Sequence, residues 1–159
     1  MDRVTDTHVY FWGSPFSNWY NCKVKHEGET FHNSEQAFMW EKAMYFDDLE
    51  IADLILEASS PSVAKSLGRE VSGFNAETWS NVSYEYMVDV CYEKFRQHPK
   101  LQILLLSTGD KVIVEASPHD KIWGVGLHWD DDKILDEANW NGQNLLGKAL
   151  MDVREKLKK

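Results

Sequence analysis

Cysteine is scarce in this 159-residue chain: only Cys22 and Cys91 occur, too few for a disulfide framework. No CxxC, HxH or HExxH spacing gathers ligands for zinc, so neither a metal nor another cofactor is expected. A chain of this length buries roughly two thirds of its unfolded surface and can hold a core without such staples. No run approaches the roughly 18 apolar residues of a membrane helix, and the N-terminal MDRVTDTH is charged where a secretion signal needs an apolar stretch. A cytoplasmic protein with no membrane contact is expected. With four prolines and no low-complexity tract there is no linker either, so residues 1–159 are expected to form one domain. Positive charge is also short: 17 Lys and Arg against 26 Asp and Glu leave a formal charge of −9. That balance opposes the counterion release that drives non-specific binding to duplex nucleic acid. It leaves room for one basic pocket around a phosphate or a single nucleotide.

Aromatic residues, by contrast, are plentiful at 13%, with seven Trp. His8 to Trp12 is β-prone and Gly13-Ser14-Pro15 breaks it; Cys22 to His26 and Glu29 to Phe31 flank Glu27-Gly28, a hairpin turn. The pattern then turns helical. Asn33 or Ser34 caps a helix bearing Ala37, Phe38, Trp40, Ala43 and Met44, and Asp47 or Asp48 caps the next. Ser60-Pro61 opens a short helix that Gly68 closes, and a long one runs from about Ala76 to Gln97. Leu101 to Leu106 make a further helical piece that Thr108-Gly109 ends. Lys111 to Ala116 reads as a strand because Val112, Ile113 and Val114 are β-branched. Ser117 to Asn144 is irregular, with one short strand expected at Ile122 to Leu127, before a C-terminal helix on Leu146, Ala149, Leu150 and Val153. The expected class is α+β, mostly helical, with a small β element. An irregular stretch of that length inside a compact domain is usually functional.

Three segments can carry chemistry. The first is Asn33-Ser34-Glu35-Gln36. The N–H groups of a helix start favour a carboxylate in the first turn, so Glu35 reads either as dipole compensation or as a catalytic acid. Lys42 lies two turns on, which puts it on the same face at about 10.5 Å along the axis. The second is Glu115 to Gly126, where a strand ends in a carboxylate, breaks at Pro118 and then offers Asp120, Trp123, Gly124 and Gly126. This pattern either brings an acid and an aromatic plate to a pocket rim or makes an ordinary surface loop anchored by one tryptophan. The third is Trp140 to Gly147, including Asn144, whose backbone N–H groups at a helix start either hold a phosphate or simply cap the helix. Ser17, Ser34 and Ser117 lack a nucleophile-elbow context, which removes a serine hydrolase.

Together these blocks resemble the NADAR family, the YbiA-like N-glycosidases. The match runs through Phe16-Ser17-Asn18-Trp19, Ser34 to Phe38 with Lys42, Gly68-Arg69, Trp79, Lys94-Phe95, Leu105-Leu106 with Thr108-Gly109, Glu115 to Gly126, and Gly142 to Arg154, in family order. The resemblance implies a YbiA-like fold and hydrolysis of the bond between the anomeric carbon of a ribose and a nitrogen. The substrates it implies are phosphorylated ribosylamino-pyrimidine intermediates of riboflavin synthesis or ADP-ribosylated guanine, as a nucleotide or as a base in nucleic acid. Glu35, Lys42 and Asp120 are then the catalytic candidates, and Asn18, Trp19, Arg69, Trp79, Glu115, Trp123, Gly124 and Asn144 the substrate contacts. Many members have His where this chain has Gln36, which cannot titrate, so no acid or base stands at that position.

Cleaving a ribosyl C–N bond builds positive charge on the sugar and negative charge on the departing base. Glu35 is assigned to the ribose or the attacking water, Asp120 to the leaving group or the ribose hydroxyls, Trp79 and Trp123 to the base, and Arg69 either to a phosphate or to a structural salt bridge. Lys42 opens a second route: a desolvated amine can attack the ring-opened sugar aldehyde and form an imine. The alternative to an enzyme is a module that reads ADP-ribose or NAD without cleaving it. The expected partner is a small nucleotide or an ADP-ribosylated base, and a local contact with single-stranded nucleic acid stays open.

Overall fold

The computed structural model describes residues 2–159; Met1, the first residue of the expected domain, lies outside them. In chain order the elements are β1 (Asp2–Val4), β2 (His8–Phe11), β3 (Val24–His26), β4 (Glu29–Phe31), α1 (Ser34–Tyr45), α2 (Leu49–Leu56), α3 (Pro61–Gly68), α4 (Ala76–Gln97), α5 (Pro99–Ser107), β5 (Val112–Glu115) and α6 (Leu145–Leu157). Two short 3-10 turns, Asp132–Leu135 and Glu137–Asn139, lie within the stretch read as irregular. Helix far outweighs strand, as the α+β reading required. The elements form two compact units, residues 2–17 with 98–159, and residues 18–97. Among the described residues no helix is long and apolar enough to cross a membrane.

In the first unit, β2 lies between β1 and β5. β1 is antiparallel to β2, with Asp2 opposite Phe11 and Val4 opposite Val9, and β5 is parallel to β2, with His8 opposite Val112 and Phe11 opposite Glu115. The buried residues Tyr10, Val114, Ala116, Val125 and Ile134 form the core, and Val112, Leu127, Trp129 and Trp140 pack on it. α6 lies against β5 along its apolar face of Leu146, Ala149, Leu150 and Val153. The approach is close at Gly147, where a methyl group would strike the Ile113 carbonyl and the Asn144 side chain. Arg154, further along α6, donates from Nη1 to Thr108 Oγ1 at 2.9 Å and to the Lys111 carbonyl at 2.8 Å, joining α6 to the end of α5.

Two expectations change here. Ile122 to Leu127 is not a strand. Gly126 has φ +73°, which interrupts an extended run, and the loop finds its partners elsewhere: Val125 N–H donates to the Glu115 carbonyl and Asn141 N–H to the Val125 carbonyl. β1 was not foreseen. Its residues alternate exposed and half-buried and carry no apolar pattern, so only pairing with β2 makes them a strand.

The second unit is a bundle around α1, which packs on α2, α3 and α4, with the β3–β4 hairpin beside it. The hairpin turns on Glu27 (φ 51°) and Gly28 (φ 80°), the two left-handed residues of a tight connection. Asn33 caps α1, accepting from the Gln36 N–H at 2.8 Å. Asp48 and Ser60 cap α2 and α3 in the same way, and Pro61 stands at the first turn of α3. Gly68 does end α3, and a side chain there would meet the sulfur of Met39 on α1.

Candidate active site

The first turn of α1 is held from below by Asn18. Its carbonyl accepts the Glu35 N–H at 3.0 Å, and its Oδ1 accepts the Ser34 hydroxyl at 2.9 Å. Its amide nitrogen points to the Met87 sulfur at 3.4 Å. Asn18 was expected to touch substrate; it is buried, and these contacts use it to position Glu35. Gln36 also has a structural task. Its Oε1 accepts the His32 N–H at 2.7 Å, and its Nε2 donates to the Ile55 carbonyl at 2.9 Å, so Gln36 fastens α1 to the end of α2.

Glu35 is buried and Lys42 half-buried on the same helix. Burial pushes the Lys42 amine below the ordinary lysine value; the Glu35 charge opposes that shift and the Arg69 charge adds to it. Glu35, Lys42 and Arg69 therefore lie within electrostatic reach of one another, as the two-turn spacing predicted for the first pair. Arg69 is exposed at the end of α3. Lys42 Nζ stands 4.5 Å from the centre of the Phe74 ring.

Trp79, expected as a plate for the base, is only 9% exposed. Tyr86 stacks on it with centroids 5.8 Å apart, and Phe38 lies at 5.5 Å, Tyr45 at 5.9 Å and Phe46 at 6.1 Å. It is the centre of an aromatic cluster, while Phe74, Tyr45 and Met44 at the margin are exposed. Trp19 is exposed as well. Phe74 escaped the sequence reading. The only signal it left was one large apolar residue in the polar run Ser72-Gly73-Phe74-Asn75.

In the other unit, Glu115 ends β5, buried, and the segment after it folds around its own carboxylate, Asp120. Asp120 Oδ1 accepts the N–H groups of Ile122 at 2.9 Å and Trp123 at 2.8 Å, a turn that fixes the half-buried Trp123. Gly124 follows because a side chain there would press on the carbonyls of Asp120 and Glu115 at 2.9 and 3.0 Å. Asn144, left-handed at φ 54°, works as an extra strand residue: Oδ1 accepts the Glu115 N–H at 2.9 Å and Nδ2 donates to the Ile113 carbonyl at 2.9 Å. The phosphate cradle considered at Trp140 to Gly147 does not form. The N–H groups of Gln143, Asn144, Leu145 and Leu146 donate to the carbonyls of Lys121, Gly124, Ile122 and Trp123, so the turn is a cap. Glu115, Asp120, Trp123, Gly124 and Asn144 are thus neighbours in one hydrogen-bonded loop system. Among the described residues no three or more His, Cys, Asp or Glu side chains are grouped to hold a metal ion.

A NADAR domain family model matches residues 10–158. An N-glycosidase of Acanthamoeba polyphaga mimivirus is 40% identical, over 95% of this chain and 96% of its own. N-glycosidase YbiA of Escherichia coli is 33% identical, over 97% of this chain and 91% of its own. The NMR structure of the E. coli protein YbiA superposes with a TM-score of 0.79, at 32% identity, over 98% of this chain and 88% of that one. A riboflavin biosynthesis protein of Vibrio vulnificus is 32% identical over 98% of this chain, which spans 40% of that longer relative. With the family model running from residue 10 to residue 158 and relatives matched almost end to end, the chain belongs to the NADAR domain family.

Proposed function

We propose that this protein is an N-glycosidase that hydrolyses the bond between the anomeric carbon of a phosphorylated ribose and the nitrogen of a base. In that reaction the C–N electron pair leaves with the base, which takes up a proton, while the oxygen of water joins the sugar. The observation that carries the reading is the pairing on α1 of a buried carboxylate, Glu35, with an amine, Lys42, whose proton burial has loosened. Two relatives named N-glycosidases support it along nearly the whole chain. Glu35 stabilises the sugar cation or orients water, Asp120 serves the leaving group or the ribose hydroxyls, Trp123 offers an aromatic face, and Arg69 receives a phosphate. Trp19 and Glu115 are further substrate contacts. We take residues 1–159 as one functional domain, because the family match runs through both units, and its setting as the cytoplasm.

The riboflavin-named relative favours a phosphorylated ribosylamino-pyrimidine as substrate, with ADP-ribosylated guanine as the second class. Chromatography of the purified protein incubated with each class tests this. Release of free base and a reducing sugar from either establishes the reaction; binding of ADP-ribose with no release from any substrate transfers the assignment to a reader module.

The lowered Lys42 amine favours a second mechanism within the same activity. With its proton given up, the amine can attack the anomeric carbon and form a C–N bond there while the bond to the base breaks, its electron pair leaving with the base, which takes up a proton. Opening of the sugar ring then gives an imine, which water hydrolyses to free the sugar and the amine.

A further inference from the structure

Phe74 sits in the connection between α3 and α4, and neighbours on both sides anchor it. Ser72 donates from its N–H at 2.8 Å and from its hydroxyl at 3.0 Å to Asp48 Oδ2, while Asp48 Oδ1 caps α2 through the Ile51 N–H at 3.1 Å. Asn75 caps α4, its Oδ1 accepting the Thr78 N–H at 2.9 Å. A segment held in this way could have turned its one large apolar side chain inward; instead 45% of Phe74 is exposed. The ring packs edge-on against Phe46 with centroids 5.4 Å apart, and Lys42 Nζ lies 4.5 Å from its centre. An anchored, exposed aromatic beside the amine of a candidate site has the features of a stacking platform, because a base stacks on a ring that is held in place and reached from solvent. Trp79 is enclosed instead, with Tyr86 stacked on it and Phe38 tilted beside it.

We propose that Phe74 is the platform for the leaving base, a flat heteroaromatic ring, and so determines specificity for base-bearing substrates over a bare ribose phosphate. The inference rests on the glycosidase reading, and on its imine route, for its geometry: Lys42, the amine that route brings to the anomeric carbon, has Phe74 as its aromatic neighbour, so the base attached to that carbon meets this ring. Arg69, whose charge Lys42 feels, is the cation for the phosphate at the sugar's other end.

Calorimetric titration of the full chain with guanosine 5′-monophosphate and with ribose 5-phosphate, which lacks the base, tests this without requiring turnover. The wild type should bind the nucleotide about tenfold or more tighter than the sugar phosphate, the scale of one base stacked on an aromatic. Phe74→Ala and Phe74→Leu should lose most of that preference with affinity for ribose 5-phosphate unchanged, and Phe74→Trp should retain it. Leu keeps the apolar volume without the π-face, so it decides the matter if Ala unfolds. A wild type with no preference, variants that keep it, or an equal loss for both probes would overturn the proposal. A Phe74-dependent preference in a protein that cleaves nothing would overturn only the glycosidase reading.

Discussion

The imidazole of His26 on β3 meets the carboxylate of Glu41 on α1 at 2.7 Å, with only 6% and 10% of the two side chains exposed. Burial by itself pulls the His26 value down, but the hydrogen bond and charge of Glu41, with the charges of Glu27 and Glu93, outweigh it and leave the imidazole above its ordinary value of 6.5. A group raised on folding stabilises the protein fully below its unfolded value and ceases to do so as pH rises through its folded one. Stability measured by urea denaturation should therefore fall from about pH 6.5 upward until His26 has lost its proton. Glu41→Gln should flatten that slope. Glu41→Ala should cost about 3 kcal/mol near pH 6, the low end for one-sided removal of a buried pair, because His26 can shed its charge.

Glu35→Gln should leave affinity for substrate within a few fold and cut turnover by about a hundredfold or more, the scale of lost acid–base catalysis. Steady-state kinetics beside direct binding measurements separate the two effects. A variant that turns over normally would remove the catalytic role from this residue.

If Lys42 is the nucleophile, borohydride added during turnover should trap a covalent adduct on the wild type and none on Lys42→Ala, as intact-protein mass spectrometry reads directly. No adduct in either leaves Lys42 as a contact to the phosphate or leaving group and returns the mechanism to direct hydrolysis.

Asn144→Ala should lower stability by about 2–3 kcal/mol, since it removes both amide bonds to β5 and strands the buried Glu115 N–H and Ile113 carbonyl. Denaturant midpoints read this. Unchanged stability with weakened substrate binding would instead support the substrate contact assigned from sequence.

Much of this was legible in the residues because it depends on near neighbours along the chain. Asn33, Ser60-Pro61 and the 3.6-residue period mark the helices, as capping and helical packing act over three or four residues. The same period places Glu35 and Lys42 within reach of one another two turns apart. The ordered motif blocks pointed to the family that the comparisons confirm.

The rest depends on partners that sequence distance conceals. β1 is a strand only because β2 pairs with it, and Ile122 to Leu127 is a loop because its backbone finds partners at Glu115, Asn141 and the start of α6. Asn18 and Asn144 look like polar residues free to bind a ligand, yet tertiary hydrogen bonds engage both of them in holding an element in place. Trp79 and Phe74 reverse their apparent ranks for a similar reason. Which aromatic is enclosed and which faces out is decided by the packing of α1 against α4 and by the anchoring of residue 72, and neither is a property of the residue type. Sequence by itself determined the local elements and the chemical groups available; only the tertiary structure decided which of those groups are used to build the fold and which are left to face a substrate.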